Sequence, residues 1–124
     1  MARTKPEVDF PGEVPPVDLE IHDDIAGDGA EAKPGDTVAV HYVGVSFSTG
    51  EEFDSSWGRG EPLRFRLGVG MVIPGWDQGV VGMRVGGRRT LRIPAHLAYG
   101  PAGVPGTIAP NESLIFVCDL AGVA

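Results

Sequence analysis

Cysteine is almost absent from this 124-residue chain, which has Cys118 and no other. One cysteine cannot form an internal disulfide, and no cysteine pair is available to a zinc site. His22, His41 and His96 do not have the spacing of the HExxH motif of zinc hydrolases. We therefore expect no disulfide framework, no metal and no cofactor. A reducing, cytoplasmic location is the default expectation.

Long apolar runs are also missing. No stretch approaches the roughly 18 consecutive apolar residues that a membrane-spanning helix needs. The N-terminus MARTKPEVDF has no apolar run behind its basic residues, so no secretory signal is predicted. We expect no membrane partner.

Basic residues are scarce in the first half of the chain. Residues 1–54 contain 13 acidic and 3 basic side chains, whereas residues 55–124 contain 4 acidic and 7 basic ones, all arginine. The net charge of −7 argues against nucleic acid as a partner, because binding phosphates needs a positive face. The uneven distribution predicts that acidic and arginine-bearing strands are neighbours in the fold.

The usual catalytic motifs are absent as well. There is no GxxxxGK[ST] phosphate loop, GVGMVI lacks the third glycine of a dinucleotide fingerprint, and neither Ser55 nor Ser56 lies in a GxSxG elbow. Cys118 stands in an apolar stripe, where it is most simply a small core residue. Hydrolase chemistry is therefore poorly supported.

Glycine and proline, by contrast, are abundant, with 19 and 11 residues. Since 42% of the chain is hydrophobic, this composition predicts a packed, turn-rich fold of short strands instead of a low-complexity segment. Four of the prolines lie in residues 1–17, which we interpret as a flexible, solvated N-terminal extension. Residues 18–124 are expected to form one domain.

Alternating apolar residues predict the strands. The segments with this pattern are DLEIHDD, TVAVHYVGVSF, LRFRL at 63–67, TLRIP at 90–94 and SLIFVCDL at 113–120. Residues 53–62 are expected to form a loop or a bulged edge, and residues 74–83 a short helix that Pro74 begins. The predicted fold class is α+β, with about five antiparallel strands curled around one short helix.

Trp76 lies on that helix, in VIPGWDQGV, between two glycines that each cost about 0.5–1 kcal/mol relative to alanine. From spacing alone, Trp76 is either a plain core residue or the floor of a cavity on the concave side of the sheet. Aromatic and apolar side chains close to turns, with one carboxylate and one or two phenols, are typical of a small-ligand pocket.

Five segments together carry a family resemblance: GDTVAVHYVG, GEEFDSS, LGVGMVIPGWDQGVVGM, VGGRRTLRIPAHLAYG and GVPGTIAPNESLIFVCDL. Over about residues 17–121 the chain resembles the FKBP-type peptidyl-prolyl cis-trans isomerases. The resemblance implies a monomeric enzyme that isomerises X-Pro bonds in peptides and unfolded proteins. It also implies a pocket that can bind macrolides such as tacrolimus or rapamycin.

The resemblance also implies roles for individual residues. Asp54 and Tyr99 are the expected catalytic pair, Trp76 the pocket floor beneath the proline ring, and Arg59 the partner that positions Asp54. The backbone N–H of Ile73 is expected to bind a ligand carbonyl. The remaining substrate-binding positions are Tyr42, Phe53, Leu63, Val72, Ile73, Ile108 and Phe116.

Three positions depart from the family pattern. Leu63 replaces a common phenylalanine, Met71 a common glutamate and Val104 a frequent histidine. These three changes leave the pocket floor in place, but they are expected to alter which residue before proline the pocket prefers and how strongly it binds macrolides. A second hypothesis is a proline-pocket binding module or chaperone in which isomerisation is incidental; the complete aromatic set with Asp54 and Tyr99 favours the enzyme.

Overall fold

The computed structural model describes residues 5, 6, 8 and 14–124. Within these residues it contains six strands, one short α-helix and two 3₁₀ turns, Trp57–Arg59 and Ala95–Leu97. The main elements are β1 (Glu20–Ile25), β2 (Thr37–Ser46), β3 (Glu52–Ser55), β4 (Leu63–Arg66), α1 (Pro74–Gly79), β5 (Arg88–Ile93) and β6 (Leu114–Val123).

All strands pair antiparallel in one sheet of order β1-β5-β6-β2-β3. Strand β2 pairs along one edge with β6, and its other edge is shared by two short strands. Its first half pairs with β4, from Thr37 opposite Arg66, and its second half pairs with β3, where Gly44 faces Asp54. Register shifts at Ala39/Val40 and Gly44/Val45 mark local irregularities, which increase the bend of a strand.

The α+β class is confirmed, and the predicted elements need one correction. Of the two alternatives for residues 53–62, the edge is confirmed: the sheet has a sixth strand, β3, which lies at its edge and pairs with β2 across a register shift, and a 3₁₀ turn follows. The correction concerns the helix. The helix ends at Gly79 and does not reach residue 83. A turn follows it, in which the Met83 N–H donates to Val80 O at 3.0 Å and Gly82 has a φ of 91°.

The helix glycines allow α1 to lie directly against β5. A Cβ atom added at Gly75 would lie 2.6 Å from Cγ2 of Ile93, and one added at Gly79 would lie 2.7 Å from both Cδ atoms of Leu91. Both of these β5 side chains are fully buried. The weak helix propensity is therefore compensated by close packing, and the resulting helix holds Trp76 in the core with 3% of its surface exposed.

The expected pairing of acidic and arginine strands is confirmed. Strand β1 pairs with β5, and ion pairs join Glu20 to Arg92 and Asp23 to Arg89 across the two strands. The short helix and the 3₁₀ turns described here are too short to cross a membrane.

The outer face of the sheet carries a second apolar cluster, formed by Val43, Val45, Phe47 and Ile115. Val8 packs against this cluster, and Lys5 Nζ lies 2.7 Å from a carboxylate oxygen of Glu52 on β3. Much of the predicted N-terminal extension, residues 1–4, 7 and 9–13, lies outside the described residues. The expectation that residues 1–17 are flexible stays a prediction.

Candidate functional site

Trp76 is the centre of an aromatic cluster on the concave side of the sheet. Its ring meets Tyr42 of β2 and Phe116 of β6 edge-on, with centroids 5.0 and 5.2 Å away, and lies 5.6 Å from Phe65 of β4. Each of these rings comes from an inward position of an alternating strand, so the sheet fixes their mutual placement. Edge-to-face geometry of this kind is favourable for aromatic pairs.

A cavity of about 380 Å³ opens above this cluster. Its volume lies in the range of small-molecule sites. The wall combines aromatic and aliphatic side chains with one carboxylate and two phenols. The lining residues are Tyr42, Phe53, Asp54, Leu63, Met71, Val72, Ile73, Trp76, Tyr99 and Phe116.

One wall of the cavity is a loop that Asp77 holds in place. The Asp77 carboxylate accepts hydrogen bonds from the backbone N–H groups of Gly68 at 2.8 Å and Gly70 at 2.9 Å. Both glycines have positive φ values, 82° and 80°, which only glycine adopts at little cost. The loop that follows carries Met71 and Val72 into the cavity wall.

Ile73 connects this loop to the helix. It is the N-cap residue, and its carbonyl accepts hydrogen bonds from the N–H groups of Trp76 at 2.9 Å and Asp77 at 3.2 Å. Pro74 follows in the first turn, where its missing N–H costs nothing. The cavity floor and this wall are thus parts of one continuous segment.

The polar side of the cavity is a closed triangle of hydrogen bonds. The Tyr42 hydroxyl donates to Asp54 Oδ2 at 2.6 Å and accepts from Arg59 Nη2 at 2.9 Å. Arg59 Nη1 donates to Asp54 Oδ1 at 3.2 Å, and the backbone N–H of Ser55 donates to the same oxygen at 2.9 Å. Asp54 is therefore oriented by three hydrogen bonds, from Tyr42, Arg59 and the Ser55 backbone.

These contacts decide the protonation of the two acids. Partial burial on its own would raise the pKa of Asp54, but the hydrogen bonds from Tyr42 and Arg59 outweigh it and hold the pKa below its ordinary value. Burial raises the pKa of Tyr42, and its hydrogen bond to Asp54 raises it further. At neutral pH the site therefore presents a carboxylate beside a neutral phenol.

Tyr99 forms the rim of the cavity and is 41% exposed. Burial of its ring and the negative charge of Asp54 raise the pKa of its phenol, which keeps it a neutral hydrogen-bond donor. The long loop behind it is closed by reciprocal backbone hydrogen bonds between Val104 and Ile108, both 2.8 Å. Ile108 is 5% exposed and belongs to the main core.

The structure brings together all but two of the predicted site residues. The exceptions are Arg59 and Ile108, which do not line the cavity. Arg59 pairs with Asp54, as expected, and Ile108 packs in the core. Sequence reasoning treated Met71 only as a departure, yet it lines the cavity, and its position just before Val72 was the available signal.

A buried serine supports the polar side from behind. Ser56 Oγ accepts a hydrogen bond from the Tyr42 N–H at 2.7 Å and lies 2.9 Å from Nδ1 of His41. The His41 ring stacks on Trp57 with centroids 4.4 Å apart. Sequence reasoning assigned no role to Ser56 or His41 and counted Trp57 only among the aromatic residues of a possible pocket. Within the described ranges, no three His, Cys, Asp or Glu side chains converge as metal ligands would.

Comparison with known proteins covers almost the whole chain. Residues 29–121 match the family model described as FKBP-type peptidyl-prolyl cis-trans isomerase. An FK506-binding protein of Streptomyces anulatus is 68% identical over 124 residues, 99% of this chain and 100% of that protein. The peptidyl-prolyl cis-trans isomerase FPR2 of Saccharomyces cerevisiae is 56% identical over 93 residues, 75% of this chain and 69% of the yeast protein.

Solved structures agree in fold. The crystal structure of AtFKBP13 superposes with a TM-score of 0.80 at 44% identity, over 90% of this chain and 97% of that one. The crystal structure of FkpA from Escherichia coli superposes with a TM-score of 0.77 at 48% identity, over 85% of this chain and 47% of that one.

Proposed function

The chain belongs to the FKBP-type peptidyl-prolyl cis-trans isomerase family, and we propose that the cavity above Trp76 receives the proline ring of X-Pro peptides and unfolded proteins. The observation that carries this proposal is the apolar, aromatic-floored cavity with Asp54 and Tyr99 at its edge. The same cavity is proposed to bind macrolides of the tacrolimus and rapamycin type. The protein is further proposed to be a cytoplasmic monomer.

The size and polarity of the cavity suit a proline ring. Edges and faces of Trp76, Tyr42 and Phe116 enclose an apolar volume in which a five-membered ring displaces water from carbon surfaces. A proline nitrogen carries no N–H, so the ring enters this space without leaving a buried donor unpaired.

The chemistry needs no nucleophile. Rotation about a peptide bond has a barrier of about 18–20 kcal/mol because the planar amide is stabilised by resonance. A twisted amide loses that resonance and much of its charge separation. An apolar cavity that strips water from the planar amide and accepts the twisted one lowers the barrier by binding the transition state preferentially.

Polar groups at the rim fix the ends of the rotating bond. The neutral Tyr99 phenol and the Ile73 N–H are proposed to hold carbonyls on either side of it, so that rotation takes place on one side only. The Asp54 carboxylate, held by Tyr42 and Arg59, is proposed to face the twisting carbonyl carbon or to set the field of the cavity.

The test is the cis-to-trans relaxation of a short Leu-Pro peptide with catalytic amounts of protein, repeated with equimolar tacrolimus. Acceleration that the drug abolishes would support an isomerase acting in this cavity. A folded protein that binds the drug without accelerating the reaction would instead be a proline-pocket binding module. A folded protein that does neither would refute the proposed function.

A matched pair of variants tests the role of Asp54. Asp54→Ala is expected to lower kcat/KM about fivefold, the equivalent of one hydrogen bond. Glu61→Ala removes the same charge from an exposed position before β4 and is expected to leave kcat/KM unchanged. Full activity of folded Asp54→Ala would show that this carboxylate is not part of the machinery.

A further inference from the structure

A buried guanidinium lies behind the cavity floor, and the proposed reaction does not use it. Arg89 is in phase with Leu91 and Ile93 on β5, so its side chain points to the core side of the sheet, and 11% of it is exposed. A charge in such a position is expensive unless it is fully paired.

Arg89 binds the C-terminal end of the floor helix. Its Nη1 donates to the carbonyl of Gly79, the last residue of α1, at 2.8 Å, and to the carbonyl of Val81 at 3.0 Å. The last carbonyls of a helix have no intrahelical partner, and a cation there also interacts favourably with the helix dipole. The guanidinium therefore caps the helix from the sheet.

Asp23 of β1 holds the other edge of the same guanidinium. Arg89 Nε donates to Asp23 Oδ1 at 2.6 Å, and Nη2 donates to Oδ2 at 3.3 Å. The two residues are directly opposite each other in the β1–β5 register. A two-point contact between planar groups fixes direction as well as charge. Arg89 is thus aimed at the helix by a neighbouring strand.

The side of α1 that faces β5 is formed by glycines, so no helix side chain holds the two elements together there. Ile93 fills the space where a Cβ of Gly75 would be, and Leu91 does the same at Gly79. A helix of six residues is marginal on its own, so a hydrogen bond to its last carbonyl adds to what this packing provides. Arg89 is the inward residue of β5 that bonds to the helix backbone directly.

We infer that Arg89, oriented by Asp23, is a positioning residue that clamps the C-terminal end of α1 and so keeps Trp76 in place as the cavity floor. It touches neither the cavity nor a ligand bound there. Without the clamp the end of α1 opens more often, and ligand affinity falls with the fraction of molecules that have a formed floor. This inference rests on the proposed function, because the affected site is the proposed ligand site.

Arg92 provides a matched control. It lies on the same strand and pairs with Glu20 of β1 at 3.1 Å, but on the opposite face of the sheet, where it stacks over Phe47. Arg89→Met and Arg92→Met therefore each remove one arginine and one β1–β5 ion pair. Arg89→Lys keeps the charge and can reach a carbonyl. Asp23→Asn replaces the charged partner of the guanidinium with a neutral amide, which orients Arg89 less strongly.

The experiment measures tacrolimus dissociation constants, kcat/KM and amide hydrogen exchange for these variants of the full chain. Arg89→Met is expected to bind tacrolimus about tenfold more weakly, with partial rescue in Arg89→Lys, while Arg92→Met stays within about twofold of the wild type. The Val80 amide, which donates to Trp76 O at 2.9 Å, should lose more protection than the amide of Val40 in β2.

Comparing hydrogen exchange at the two amides distinguishes local opening of the helix end from a general loss of stability. Equal losses of protection at Val80 and Val40 in Arg89→Met, or affinity equal to that of Arg92→Met, would overturn the inference. If Arg89→Met does not fold, Asp23→Asn must show the same selective loss at Val80. A wild type that neither binds the drug nor accelerates isomerisation refutes the proposed function, while the exchange comparison still decides the clamp.

Discussion

Gly75→Ala is the substitution that most directly tests how the floor helix is held. On helix propensity alone, alanine is favoured by about 0.8–1.0 kcal/mol at an interior helix position, and by less in the first turn, where Gly75 lies. Packing opposes this gain, since the new Cβ would lie 2.6, 2.7 and 2.9 Å from three carbons of Ile93. Ile93 is fully buried and β-branched, so it cannot move aside without disturbing the core.

The packing cost is expected to exceed the propensity gain. Overpacking a core by one methyl group costs about 1–3 kcal/mol, so a net destabilisation of about 1–2 kcal/mol follows. Because Gly75 directly precedes Trp76, the displacement also moves the cavity floor, and tacrolimus binding should weaken. Urea unfolding monitored by circular dichroism, with titration of the drug, measures both effects.

A double-mutant cycle with Ile93→Ala isolates the contact. The two changes should be less costly together than the sum of the single changes, since the new methyl group then has room. Gly58→Ala is the control, because a Cβ there meets nothing within 4 Å. The reasoning is refuted if Gly75→Ala is as stable as the wild type, or if the cycle shows no coupling to Ile93.

Three other predictions follow from the polar groups and the core. Tyr42→Phe removes a hydrogen bond to the ionised form of Asp54, so the pKa of that carboxyl should rise toward its ordinary value in an NMR titration; an unchanged pKa would contradict the triangle described above. Burial raises the pKa of the Cys118 thiol, so stability present at neutral pH should be lost as the pH rises above about 8.5, the pKa of an unfolded cysteine. Thermal unfolding between pH 7 and 10 should show a smaller loss in Cys118→Ala than in the wild type, and equal losses would exclude this thiol as the cause. Asp77→Asn replaces one of the two carboxylate oxygens that accept hydrogen bonds from loop N–H groups, so the affinity for tacrolimus should fall about fivefold. Glu61→Gln, the control, should leave the affinity unchanged. Equal affinities of the two variants by calorimetry would refute a role for Asp77 in shaping the wall.

Alternation in the sequence was a reliable guide where one face of a strand is buried. In β4, Phe65 is 3% exposed while Arg64 and Arg66 are exposed, as the pattern LRFRL predicts. In β5 the structure extends the alternation beyond the predicted segment TLRIP, and Arg89 is in phase with Leu91 and Ile93. A charge on the core side of a strand was the available signal for its buried contacts, although nothing in the sequence indicated that its partner is the end of a helix.

The boundaries of the helix and of the short strand were harder to predict, because tertiary packing determines them. The apolar spacing of Trp76, Val80 and Met83 continues past the true end of α1 because all three face the core whether or not the backbone between them is helical. The third strand was predicted only as one of two alternatives, a loop or a bulged edge, because EFDS is short and interrupted by a carboxylate. Its pairing with β2, in which Gly44 faces Asp54, decides between them and joins residues distant in sequence.

What the sequence determined by itself is the local chemistry: which residues alternate, where turns must form, and which aromatic residues, carboxylate and phenol the chain can offer. The family motifs then identified most of the cavity wall. Only the tertiary structure decided that the Tyr42 hydroxyl joins the expected pair of Asp54 and Arg59 in a triangle of hydrogen bonds, and that Ile108 is core. It also showed that β5 occupies the space that side chains at the helix glycines would fill. The physical reason is that these contacts join residues distant in sequence, and a spacing pattern contains no information about which strand comes to lie beside which helix.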